Sequence, residues 1–146
     1  MNTSLAATED FLHGKIPLAR AMGVRVASHD ATGLLLTAPL AENHNHLGTA
    51  FGGSISAIAT LAGYALLWRE LEDQSAHIVI RSSSLSYEQP IHGDLHALCL
   101  PPATEAMDTF RARFHKAGKA RILIRVILSE NGTPSAIFEG EYVALR

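Results

Sequence analysis

Charge is missing where this chain is most distinctive. From Leu47 through Trp68 no side chain is charged. Cysteine is nearly absent as well. Cys99 stands alone, which excludes an internal disulfide and fits a reducing, cytoplasmic compartment. It lies in the run HALCLP and reads as a packed strand residue. Aromatic residues make up only 6% of the chain and the formal net charge is −2, so neither stacking nor general attraction points to nucleic acid. The first residues, MNTSLAATEDFLHG, have no basic start and no apolar core, and do not read as a signal peptide. There is no Gly-x-Ser-x-Gly elbow to activate a serine, no repeat and no linker. Residues 1–146 are expected to form one domain, since that length is short for two.

The uncharged run belongs to the segment NHNHLGTAFGGSISAIATLAGYALLW, Asn43 to Trp68. An Asn/His cluster leads through Gly48 and Thr49 to Gly52-Gly53, and a helix is expected from about Phe51 to Leu71. Thr49 is its candidate N-cap, and Arg69 falls in its last turn, where the macrodipole favours a cation. The run is long enough to cross a membrane, but it is rich in Gly, Ala, Ser and Thr and is flanked by amphipathic strands. A helix apolar on all sides in such a setting is wrapped by a sheet or by a partner subunit, so no membrane association is expected. At its N-terminus the side chains are cleared away. An anionic group can therefore approach the backbone N–H groups there, as a carbonyl oxygen does when it gains charge.

Around that helix the patterns are mostly strand. Residues 7–22 suggest a short helix capped by Thr8 and a second turn at Pro17–Met22. Val24–Ser28 and Leu34–Ala38 read as strands joined by a turn through Asp30–Gly33. Ala76–Tyr87, Leu95–Leu100, Arg121–Ser129 and Pro134–Leu145 read as four more, the last two joined at Asn131-Gly132, a two-residue hairpin signal. Thr104 to Ala117 has helical spacing in Met107, Phe110 and Phe114, with Thr104 as cap. The class is α+β, an antiparallel sheet wrapped around a long central helix. Its open edge and the helix flank would be covered by dimerisation.

The segment N-H-x-G-x-x-F-G-G-S, Asn45 to Ser54, resembles the hotdog fold of acyl-thioester enzymes. The patterns G-T-A-F-G-G-S at Gly48–Ser54 and A-x-x-T-L-A-G at Ala57–Gly63 resemble, within it, the thioesterase-like family named for the YiiD C-terminal domain. The resemblance spans essentially the whole chain. It implies activity on acyl thioesters. In some members this is decarboxylation of malonyl-acyl carrier protein to acetyl-acyl carrier protein, which primes fatty acid synthesis. It implies no cofactor, because phosphopantetheine arrives on the substrate.

Many hotdog thioesterases carry an Asp or Glu eight residues beyond the first glycine of the pair, acting as base or nucleophile. Here that position is Thr60, which cannot take a proton from water without a base beside it. Decarboxylation needs no such base. It needs donors aimed at the enolate oxygen, and the candidates are the N–H of Gly52 or Gly53, the Asn45 amide and the Thr60 hydroxyl. Each also has a plain structural reading: Thr60 bonded back to its own helix, Asn45 capping its loop, the glycines a close-packing contact. His46 is a candidate substrate contact or, alternatively, a general base, and Phe51 is a candidate substrate contact. His44 and His46 lack a third ligand, so no metal is expected. Gly52 and Thr60 lie about 12 Å apart along one helix, so sharing a small substrate requires two antiparallel helices from two chains. A homodimer, or a dimer of dimers, is therefore expected.

Phe110–Arg125 holds Arg111, Arg113, Lys116, Lys119, Arg121 and Arg125 and no acid. Of these, Arg111 and Arg113 are the candidates for contacting an acidic carrier protein or the phosphates of CoA, the plain alternative being a solvated face. The leading expectation is a decarboxylase. The alternatives are an acyl-CoA or acyl-carrier-protein thioesterase and a non-catalytic acyl-binding protein.

Overall fold

The computed structural model describes residues 3–146; Met1 and Asn2, the start of the stretch read as lacking a signal sequence, lie outside the described residues. Two helices, α1 (Leu5–Lys15) and α2 (Pro17–Ala21), precede strands β1 (Arg25–Asp30) and β2 (Gly33–Ala38). A short 3-10 turn at Leu40–Glu42 and a loop lead into α3 (Gly52–Leu71). Then come β3 (His77–Tyr87), β4 (Leu95–Cys99), α4 (Thr104–Ala117), β5 (Lys119–Glu130) and β6 (Thr133–Leu145). The six strands form one antiparallel sheet in the order β1-β2-β4-β5-β6-β3. The helix α3 packs against β2 through β6, which is the wrapped architecture expected of a hotdog fold.

Alternation makes the wrapping possible. On β5, Ala120, Ile122, Ile124, Val126 and Leu128 are buried while Arg121, Leu123 and Arg125 are exposed. On α3, Ile55, Ile58, Leu61, Ala62, Ala65 and Leu66 are all buried, so apolar residues occupy more than one stripe. The helix α1 covers a further side through Phe11, whose ring stacks on Trp68 at 4.2 Å and on Tyr64 at 5.9 Å. The hairpin at Asn131-Gly132 forms as its sequence suggests, with φ of 53° and 79°.

Three expected caps are displaced. Ser4, not Thr8, caps α1 by accepting from the Ala7 N–H; Thr8 is buried inside the helix and its hydroxyl donates to Ser4 O. Phe51, not Thr49, is the N-cap residue of α3, and it has no side-chain acceptor to offer. Ala103, not Thr104, precedes α4. At the end of α3, Glu70 pairs with Arg111, and Asp73, just beyond it, accepts from Ser75 and Arg146.

The C-terminal end of α3 is held by Arg69. Its Nε donates to His29 Nδ1 at 2.8 Å, and its Nη1 donates to Thr8 Oγ1 at 2.6 Å. Nδ1 can accept only in the neutral imidazole. Burial, with the guanidinium beside it, lowers the His29 pKa below the ordinary 6.5. The unfolded chain thus binds this proton more readily than the folded one. Stability from this contact is expected to be complete above about pH 6.5 and to fall as pH drops from there through the lowered folded value. Urea denaturation between pH 7.5 and 5 checks this. The slope should flatten in His29→Gln, which keeps an acceptor that cannot titrate in that range.

Candidate active site

The loop before α3 is a small closed unit. Asn45 N donates to Thr49 O, Gly48 N to Asn45 O, and His44 and Ala50 form an isolated bridge. The Asn45 side chain fills it: Oδ1 accepts from Leu47 N and Thr49 N, and Nδ2 donates to Thr49 Oγ1 at 2.9 Å. Thr49, displaced from the cap, therefore holds Asn45 instead. Because Nδ2 has two protons, one N–H of Asn45 is left over. Asn43 ties the loop down by donating from Nδ2 to Met22 O and Pro39 O, and Ala50 N reaches Ile91 O.

The helix N-terminus opens beside this loop. With no side chain capping it, the N–H groups of Gly52, Gly53 and Ser54 find no acceptor among the described residues. The two glycines face different grooves. Gly52 shares one of about 310 Å³ with Asn45, Thr49, Ile55, Tyr87 and Glu88. Gly53 lies in another, of similar volume, with Phe51, Leu18 and Asn43. A Cβ at Gly53 would sit 2.4 Å from the Phe51 ring. The structure thus groups Gly52 with Asn45 and leaves Gly53 and Phe51 on the other side.

Thr60 is not in either groove. It lies two turns further on, half-buried, with its hydroxyl donating to Ser56 O at 2.8 Å. Its own carbonyl accepts from the buried hydroxyl of Tyr142 at 2.8 Å. Gly63 makes room for that ring: a Cβ there would come within 2.4 Å of the Tyr142 oxygen. His46 is exposed at the loop tip. Arg111 sits at the opposite end of α3, paired with Glu70 and Asp108 and donating to Glu70 O. Arg113 is exposed on α4. Among the described residues no group of His, Cys, Asp or Glu is arranged to hold a metal ion, and no helix is long and apolar enough to cross a membrane.

Two groove residues escaped the sequence reading. Tyr87, the last residue of β3, donates its hydroxyl to Gly52 O at 3.2 Å, and Glu88 follows it on the rim. The Glu88 Oε1 accepts from Ser86 Oγ at 2.8 Å. The only signal available was their position where a serine-rich strand ends before Pro90; nothing in their spacing linked them to residues some 35 positions earlier.

A profile of the family described as "Putative thioesterase (yiiD_Cterm)" matches residues 5–146. The chain belongs to this family. Among solved structures, a protein of unknown function from Chlorobaculum tepidum is 28% identical, with a TM-score of 0.89 over 97% of this chain and 93% of that one. A protein from Shewanella oneidensis described as a "putative thioesterase" is also 28% identical, with a TM-score of 0.83 over 97% of each chain. A Pseudomonas aeruginosa protein, 21% identical, shares the fold with a TM-score of 0.83 over 99% of this chain and 97% of that one. The hotdog fold and a thioesterase-like family are thereby established.

The bonding of Asn45 separates its structural role from a chemical one. Asn45→Ala removes three contacts of the loop and is expected to cost about 1–3 kcal/mol. Asn45→Asp keeps the acceptor of Leu47 N and Thr49 N and is expected to cost clearly less. Urea unfolding of both variants measures the difference.

Proposed function

We propose that this thioesterase-family protein decarboxylates malonyl-acyl carrier protein to acetyl-acyl carrier protein. The observation that carries the reading is a helix N-terminus with unpaired N–H groups, next to Asn45, on a helix that carries no carboxylate before Glu70. Loss of CO₂ breaks the bond between the methylene and carboxylate carbons. The electron pair becomes an enolate with its charge on the thioester oxygen. The Gly52 N–H and the remaining N–H of Asn45 are neutral donors suited to that oxygen, and each such donor is worth about 3–4 kcal/mol. Protonation of the methylene carbon by water completes the acetyl group. Ile55, Pro90 and Ile91 give the groove apolar walls, which favour neutral CO₂ over a bound carboxylate.

Glu88 supports a second reading. It is the carboxylate on the groove, and as a general base it would direct water at the thioester carbonyl and make the protein a thioesterase. Its exposure counts against a dry, poised base.

The decarboxylase reading includes a homodimer. The edge strand β1 is short, bulged between Val26 and Ser28, and packed by α1. The edge strand β3 is 11 residues long with Val79 and Tyr87 about half exposed, and it has neither proline nor lysine to discourage pairing. Antiparallel pairing of two β3 strands about a twofold axis would run the two α3 helices in opposite directions. That brings Thr60 of one chain towards Gly52 of the partner subunit.

Intact mass of the carrier protein after incubation with malonyl-acyl carrier protein is expected to show the acetyl form. Free carrier thiol with malonate would establish hydrolysis, and binding without either product would leave an acyl-binding protein. Glu88→Gln is expected to retain most turnover, whereas Asn45→Asp should lose more than tenfold; the reverse pattern would assign the groove to hydrolysis. Sedimentation equilibrium is expected to give twice the 15.7 kDa chain mass. A monomer that still turns over would end the shared-site proposal.

A further inference from the structure

A concavity of about 790 Å³ lies away from the Gly52 groove, on the face of the sheet turned from α3. Val79, Val143 and Arg121 stand in one row across β3, β6 and β5, and Leu145 and Lys119 stand in the next row on that face. Val143 is buried at the floor, and Val79 is exposed. Arg113 borders the groove from α4, and Arg81 from β3. Arg81 pairs with Glu141. Among the described residues no ion pair or side-chain hydrogen bond engages Arg113, Lys119 or Arg121. The result is an apolar strip lined by three uncommitted cations.

We propose that this groove docks the acidic helical face of the carrier protein that brings the substrate, an inference that rests on the carrier-bound substrate proposed above. Charge complementarity and shape favour a protein over the nucleotide end of CoA. The lining has no aromatic ring on which an adenine could stack, and the β5 and β6 backbones are committed to their ladders, so they offer no nest of N–H groups for phosphates. An acidic helix with apolar residues at its centre fits both parts of the groove: its carboxylates meet Arg113, Lys119 and Arg121, and its apolar residues cover Val79 and Leu145.

The groove also lies against the β3 edge that the proposed dimer pairs. Val79 lies at the start of β3, whereas Tyr87, which touches Gly52, lies at its end. Antiparallel pairing of two β3 strands sets the beginning of one beside the end of the other. A carrier protein seated on one protomer would therefore lie on the outer sheet face near the end of β3 of the partner subunit, with the Gly52 groove on the opposite, α3-facing side of the sheet. Arg111 drops out of this surface, because Glu70 and Asp108 already hold it on the far side of α4.

The test is binding of fluorescently labelled holo-acyl carrier protein, without an acyl group, measured by anisotropy. Wild-type binding is expected to weaken as salt rises. Lys119→Glu/Arg121→Glu should weaken it at least tenfold, and Arg113→Glu, on a helix, should act in the same direction even if the strand variant folds poorly. Lys15→Glu/Arg20→Glu makes the same change in net charge elsewhere and should alter affinity less than threefold. Equal affinity in the groove variants, equal loss in both charge-reversed pairs, or displacement of the carrier protein by CoA alone would overturn the assignment. Because no turnover is read, failure of the decarboxylation and failure of the docking surface are separate results.

Discussion

Because α3 packs against five strands and is covered on another side by α1, a charge on most of its surface would be buried without a partner. That would cost several kcal/mol, so the buried stripes must be Ile, Leu, Ala and Gly. The constraint does not reach every position. Ser54, Ser56, Thr60 and Tyr64 are only half-buried, and a carboxylate could be solvated there. Burial explains the absence of charge on the core faces. Burial within one chain does not explain its absence on this strip, which the proposed dimer would cover.

The same helix determines where donors can be found. Its interior N–H groups are consumed by its own carbonyls, and only the first turn has any to spare. In most helices a Ser, Thr, Asp or Asn takes one of these. Here Phe51 occupies the cap position and Thr49 is turned to Asn45, so nothing competes with a ligand for the Gly52 N–H. The missing cap costs about 1 kcal/mol of helix stability, which the packing of α3 easily offsets. Stability given up at the helix start thus leaves backbone N–H groups of α3 free beside Asn45.

Legibility followed the range of the physics involved. Alternation on β5, the Asn131-Gly132 turn and the apolar length of α3 are local patterns, and the strands, α3 and α4 form within a residue or two of where those patterns put them, whereas α1 starts at Leu5, ahead of the expected Thr8 cap. The caps misread because Ser, Thr and neighbouring residues compete within one turn, and tertiary partners decide: Thr8 is bonded to Arg69, and Thr49 to Asn45. Gly52 and Asn45 were visible together because one loop holds both. Tyr87 and Glu88 were not, since only the return of β3 along α3 brings them there. The basic span from Phe110 to Arg125 was legible as charge, but pairing across α4 divides it, committing Arg111 to Glu70 and leaving Arg113 free.

Chemistry in the groove turns on how a negative charge is handled there. In the decarboxylation proposed above, a malonyl thioester would enter with one carboxylate and pass through an enolate, so the charge would migrate from one end of the group to the other. Neutral donors at Gly52 and Asn45 lower the energy of the final location without fixing the first. An ionised acid on α3 would repel the incoming carboxylate and raise the energy of the enolate alike. Glu88 stands at the rim, where solvent screens it, and its Oε1 is engaged by Ser86. A charge at that distance penalises the substrate far less than one on the helix would. For the proposed reaction, the arrangement would keep fixed dipoles near the reacting oxygen and leave the carboxylate at the wet margin.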